Sequence, residues 1–153
     1  MKKRNNKIPF RAIAILTIVL VVEMLLLNYL NAKAEADTYI PQSQVELCQQ
    51  IGAEYGIQPE LLEAMIEVES SGRMSARNGS CYGIMQINGS VWGYSYNTES
   101  AQIRKACELL LSYDCEVDEA LSKFNGQTTK RYKGYVEKVL NRAHELEVQH
   151  YGK

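Results

Sequence analysis

Leu62, Met65, Ile66 and Glu69 recur at i, i+3, i+4 and i+7 in the segment Gln58-Pro59-Glu60-Leu61-Leu62-Glu63-Ala64-Met65-Ile66-Glu67-Val68-Glu69-Ser70. That period belongs to a helix with one buried face, and it sets a carboxyl at the end of an apolar stripe. A carboxyl held among apolar neighbours loses hydration of its charged form, so it keeps its proton to higher pH than a surface glutamate does. Glu60, Glu63 and Glu67 fall at i, i+3 and i+7 and are expected to share a solvated face. Glu69 is then the acid of this helix expected to point inward. The plainer alternative is that the helix end lets it bend to water.

The signals around this segment predict further helices. Ser43-x-x-Glu46 reads as a capping box opening a helix that runs to about Tyr55. Gly56 suits the C′ position after it, and Pro59 suits the first turn of the next helix, which ends at Ser70-Ser71-Gly72. Residues 71–82 are rich in Ser, Gly, Asn and Arg and read as a loop. A helix over Glu99–Tyr113 carries Ile103, Ala106, Cys107 and Leu110 on one side. A short helix over Val117–Phe124 carries Val117, Leu121 and Phe124. A last helix shows the stripe Tyr132, Tyr135, Val136, Val139, Leu140, Ala143 and Leu146. No period-2 strand stands out, so the expected fold class is all-α, a compact helical domain behind one N-terminal hydrophobic helix.

Residues 1–36 differ from the rest. Lys2, Lys3, Arg4, Lys7 and Arg11 precede the uncharged run Ala12–Val22, apolar but for Thr17, which Met24–Leu27 and Leu30 extend. This is the layout of a secretory signal or an uncleaved anchor with its positive end in the cytoplasm. Ala32-Lys33-Ala34 offers a small-x-small cleavage site. Ala12–Leu30 is close to the ~20 residues that cross a bilayer, although Glu23 within it costs about 2.5–3.5 kcal/mol. Both outcomes export the remainder, so an extracytoplasmic location is expected. The division is a leader over 1–36, a linker over 37–44 and a domain over 45–148.

Six of the 17 Lys and Arg and one of the 18 Asp and Glu lie in residues 1–34, leaving 11 basic and 17 acidic side chains beyond it, a balance of −6. An acidic body of this kind argues against a nucleic-acid partner. Cys48, Cys81, Cys107 and Cys115 all lie in the exported part, where an even count suits disulfides with three pairings open. Their spacings lack C-x-x-C, and His144 and His150 sit on a charged helix where solvation is expected. Neither a metal nor a cofactor is expected.

Three motifs then fall in one order: Glu69-Ser70, Tyr82-Gly83-Ile84-Met85-Gln86-Ile87-Asn88, and Tyr135-Val136-Glu137-Lys138-Val139. Together with the Gln-Pro-Glu-Leu-Leu opening they resemble the soluble lytic transglycosylase family, with its lysozyme-like fold, over about residues 45–142. The resemblance implies that Glu69 is the sole catalytic acid and base. It implies that Met85 and Gln86 lie in a sugar-binding cleft with Tyr82, Asn125 and Tyr135, and that Ser70 orients the acid or only ends the helix. Phe124-Asn125-Gly126 departs from the family's Tyr-Asn-x-Gly, and Gln102-Ile103-Arg104-Lys105-Ala106 departs from its Asn-Ile-x-x-Gly.

The implied reaction is cleavage of the β-1,4 bond between N-acetylmuramic acid and N-acetylglucosamine in peptidoglycan strands, closing a 1,6-anhydro ring without water. An ordinary retaining glycosidase needs a second carboxylate ~5–5.5 Å from the acid, and none adjoins Glu69 along the chain in a suitable place. Asp114, Glu116, Asp118 and Glu119 read as a solvated helix start. One of Trp92, Tyr94 and Tyr96 is expected against a sugar ring. A hydrolytic muramidase and a catalytically silent glycan-binding module held at the membrane stay open as alternatives. The expected partners are glycan strands, the membrane through the leader and, by association, a secretion or conjugation machinery or a phage.

Overall fold

The computed structural model describes residues 17–29, 40–126 and 133–152, and the chain divides into a unit over Met1–Thr38 and a unit over Tyr39–Lys153. In the first unit residues 17–29 form a helix, α1. Among the described residues no helix is long and apolar enough to cross a membrane. The membrane-length helix expected from the sequence is therefore not supported by α1 as described. The rest of that run and the Ala32-Lys33-Ala34 site lie outside the described residues.

The second unit is mostly helical: α2 (Gln42–Tyr55), α3 (Pro59–Ser70), α4 (Gly89–Trp92), α5 (Glu99–Ser112), α6 (Val117–Phe124) and α7 (Lys133–Tyr151). α2 starts one residue before Ser43, with Pro41 at the cap and no side-chain cap bond, so the expected capping box does not form. Its end follows expectation: Gly56 turns left-handed at φ 69°, and the Ile57 N–H donates to Gly52 O at 2.9 Å. Pro59 then opens α3 without losing a helical bond, because a first-turn N–H has no partner within the helix.

α3 is the central helix, packed between α2 and α7. Leu62, Met65 and Ile66 have essentially no exposed surface, and each contributes about 1.5–3 kcal/mol by leaving water. Ile103, Ala106 and Cys107 of α5, Leu121 of α6, and Val139 and Leu146 of α7 close the same core. Val117, expected on the buried side of α6, is exposed instead. Tyr132 lies outside the described residues.

Residues 71–88 form more than a loop. β1 (Arg77–Asn78), β2 (Cys81–Tyr82) and β3 (Ile87–Asn88) pair as a three-stranded antiparallel sheet, with Arg77 opposite Tyr82 and Tyr82 opposite Ile87. Strands of two residues are too short to show alternation, which is why the sequence carries no period-2 signal for them.

Of the two outcomes the even cysteine count left open, the structure has the unpaired one: all four thiols are free. Cys48 and Cys107 are buried and act as small apolar side chains. Burial raises both thiols, Cys107 to about 11.

Candidate active site

α3 ends where the sheet begins, and one buried hydroxyl joins the two. Ser70 Oγ, 3% exposed, donates to Ile84 O at 2.8 Å and lies 3.3 Å from Ile66 O. Ser70 thus fastens the residue beside Glu69 to the turn between β2 and β3 and does not face a cleft. Alanine at this position strands the Ile84 carbonyl in the core. We expect Ser70→Ala to cost about 1–3 kcal/mol of unfolding free energy, read from the urea midpoint.

The turn itself depends on Gly83 and Gln102. Gly83 has φ 79°, and a Cβ there would stand 2.5 Å from the Gln102 amide. Only glycine meets both demands without strain. Gln102, fully buried on α5, accepts from the Met85 N–H at 3.1 Å and donates to Tyr96 O at 2.8 Å. These contacts drive Ile84 and Met85 into the core and turn Gln86 outward at φ 47°, its Nε2 donating to Gly83 O at 2.8 Å.

The result is a cleft of about 510 Å³ with Glu69 on its wall, bounded by Arg73 and Arg77, Cys81 and Gln86, Phe124 and Asn125, and Tyr135. A smaller hollow of about 130 Å³ shares Cys81, Gln86, Phe124 and Asn125 and extends to Trp92 and Leu109. Glu69 is the only carboxylate lining either space among the described residues. Burial pushes its pKa up to about 7. The buried Tyr135 hydroxyl opposes that rise from across the cleft, although no hydrogen bond of good geometry joins it to an acceptor. Tyr135 itself is driven well above the usual phenol range, by burial first and by the Glu69 charge second. At neutral pH Tyr135 therefore keeps its proton, while Glu69 is poised between its protonated and charged forms on the same cleft wall.

Glu69, Gln86, Asn125 and Tyr135 thus line one cleft, and Ser70, Tyr82 and Met85 lie behind it. Met85 is fully buried and cannot touch a ligand. Tyr82 is 3% exposed; its hydroxyl donates to Gly93 O at 3.2 Å and accepts from the Tyr96 N–H at 3.0 Å, which fixes the loop after α4. Its ring borders a separate depression of about 340 Å³, with Arg77 and Tyr94. Of the three loop aromatics, Trp92 stands at the end of the cleft, 43% exposed, with the Lys105 ammonium 4.7 Å from its ring centre.

The expected wet face of α3 does not exist. Glu60 and Glu63 are buried, and Glu67 is clasped by Arg142 through Nε at 2.6 Å and Nη2 at 3.2 Å. α7 packs along that side and brings Arg142 and His150 to it. His150, expected in solvent, places Nδ1 3.2 Å from Glu60 Oε1 and Nε2 4.0 Å from Glu63 Oε2. His144 does remain exposed.

Sequence reasoning missed Arg73, Arg77 and Cys81 as wall residues, because residues 71–82 carried only turn composition. It also missed the buried amide of Gln102, for which the signal was a polar residue next to Ile103 on the apolar side of α5. No group of three or more His, Cys, Asp or Glu side chains among the described residues is arranged to hold a metal ion. No family model, curated protein or solved structure matches the chain.

Proposed function

We propose that this chain is a lytic transglycosylase of peptidoglycan with a lysozyme-like fold, acting outside the cytoplasm. The observation that carries the reading is Glu69: one carboxyl, raised to about 7 by burial, the only acid lining a cleft of about 510 Å³ among the described residues. A general acid works best with a pKa near the working pH, and a site with one carboxyl suits a reaction whose nucleophile belongs to the substrate. The Glu69-Ser70, Gly83-Ile84-Met85-Gln86 and Tyr135-Val136 motifs support the same reading.

In this mechanism the protonated Glu69 gives its proton to the glycosidic oxygen as the bond to C1 of the muramic acid breaks, with oxocarbenium character at C1. The resulting Glu69 carboxylate takes the proton of that sugar's C6 hydroxyl as its oxygen attacks C1. The products are a 1,6-anhydromuramic end and a free 4-hydroxyl on the departing N-acetylglucosamine, and Glu69 is again protonated. Gln86 and Asn125 supply amide donors and acceptors along the wall, and Trp92 supplies a flat face for a ring.

Mass spectrometry of digested wall tests this. Anhydro ends are expected, whereas reducing ends would assign water as the nucleophile and make the protein a muramidase. A pH profile adds a second test. Because Glu69 must enter the reaction protonated, kcat/KM is expected to fall above about pH 7. The Tyr135 hydroxyl holds the Glu69 pKa down, so Tyr135→Phe is expected to move that alkaline limb to higher pH. A limb that stays in place or moves lower would remove Tyr135 from the proton balance.

A further inference from the structure

Four cations of the second unit hold carboxylates among the described residues. Arg104 holds Glu54, Arg142 holds Glu67 and Glu145, Lys105 holds Glu108, and Lys123 holds Glu119. Arg73, Arg77 and Lys138 have no such partner, and of these three the two arginines differ by their place. Both line the Glu69 cleft, and neither has a carboxylate partner among the described residues. In a body with 17 acidic side chains to 11 basic ones, two arginines left without an acid beside the same cleft call for a reason.

Arg77 is also held in place before any ligand arrives. Its Nη1 donates to Ala76 O at 2.9 Å and lies 3.3 Å from Met74 O, and its guanidinium stands 5.3 Å from the centre of the Tyr82 ring. A guanidinium fixed by backbone acceptors and an aromatic face loses little freedom when it meets an anion, and its planar fork matches a carboxylate. Both arginines flank the cleft that holds Glu69, where they can meet a substituent of a bound sugar.

We propose that Arg73 and Arg77 form a carboxylate-binding site that selects glycan strands bearing an acidic 3-O substituent beside the scissile bond. The carboxylate is that of the lactyl ether itself or of the peptide attached to it. The inference rests on the peptidoglycan reading above and adds a substrate requirement to it.

The test measures binding of Glu69→Gln protein to three preparations of isolated glycan strands by calorimetry. The first has its peptides removed, so that lactyl carboxylates are free. The second is the same preparation with its carboxyls amidated, and the third keeps its peptides. Adding Arg73→Gln and Arg77→Gln is expected to raise Kd tenfold or more on strands with the recognised carboxylate and less than twofold on amidated strands. A loss confined to the first preparation assigns the lactyl group, and one confined to the third assigns the peptide. An equal loss on free and amidated strands, or no loss on any, overturns the proposal, because the arginines then act through the fold or not at all. If Glu69→Gln protein binds none of the strands and the wild type leaves wall intact, the peptidoglycan reading itself fails and takes this inference with it.

Discussion

Glu69→Gln is expected to lower kcat for wall cleavage about a thousandfold, within the 10²–10⁴ range that a positioned general acid contributes, with KM changed far less. Glutamine keeps the shape of the side chain and its place at the end of α3, so the cleft stays formed. What it removes is the proton, and with it both halves of the reaction: departure of the glycosidic oxygen and activation of the C6 hydroxyl. No other acid lines the cleft among the described residues to take over either half. Released muropeptides, quantified against wild type under the same conditions, measure the effect. A variant that keeps a tenth or more of the activity would show that the acid lies elsewhere, and the one-carboxyl mechanism would fall with it.

How far the sequence announced this site depends on which kind of signal each residue had. Helices α3, α5 and α7 were legible because each shows a stripe at 3–4 spacing over eight residues or more, and Gly56 and Pro59 mark a real turn, whereas α4, four residues long, carries no such stripe. Glu69 was legible for the same reason, since it continues the stripe of Leu62, Met65 and Ile66. The short sheet over 77–88 was not, because its strands are two residues long and its turn depends on Gln102, fourteen residues beyond β3. The fate of Glu60, Glu63 and Glu67 was misread for a related cause. Periodicity sorts the sides of a helix by polarity, and it says nothing about whether another helix covers the polar side. Here α7 covers it, and the partners that make this tolerable, Arg142 and His150, are 75 and 90 residues away from the Glu67 and Glu60 they meet.

Glu63 is the place where that covering leaves a cost, and its replacement should reveal it. The side chain is 1% exposed, and neither carboxyl oxygen has a hydrogen-bond partner. His150 approaches only to 4.0 Å and leans instead on Glu60, while Arg142 is engaged by Glu67 and Glu145. Burial raises the Glu63 pKa from its ordinary 4.5 to about 7; Glu60 and Glu67 add to the rise, and His150 and Arg142 oppose it. The sign follows from proton counting. Between 4.5 and 7 the folded chain holds a proton that the unfolded chain has released, so folding stability falls as pH rises through that window and stays lower above it. At about 1.4 kcal/mol per pKa unit the loss is roughly 3–4 kcal/mol. Glu63→Gln removes the charge and keeps the volume. It is expected to match wild type near pH 4.5 and to exceed it by about 3–4 kcal/mol at pH 8, a Tm gain of roughly 10–15 °C for a domain of this size. Urea and thermal unfolding at the two pH values measure it. A variant less stable than wild type at pH 8 would mean that the carboxylate is charged and bound to His150, an ion pair that holds the end of α7 against α3.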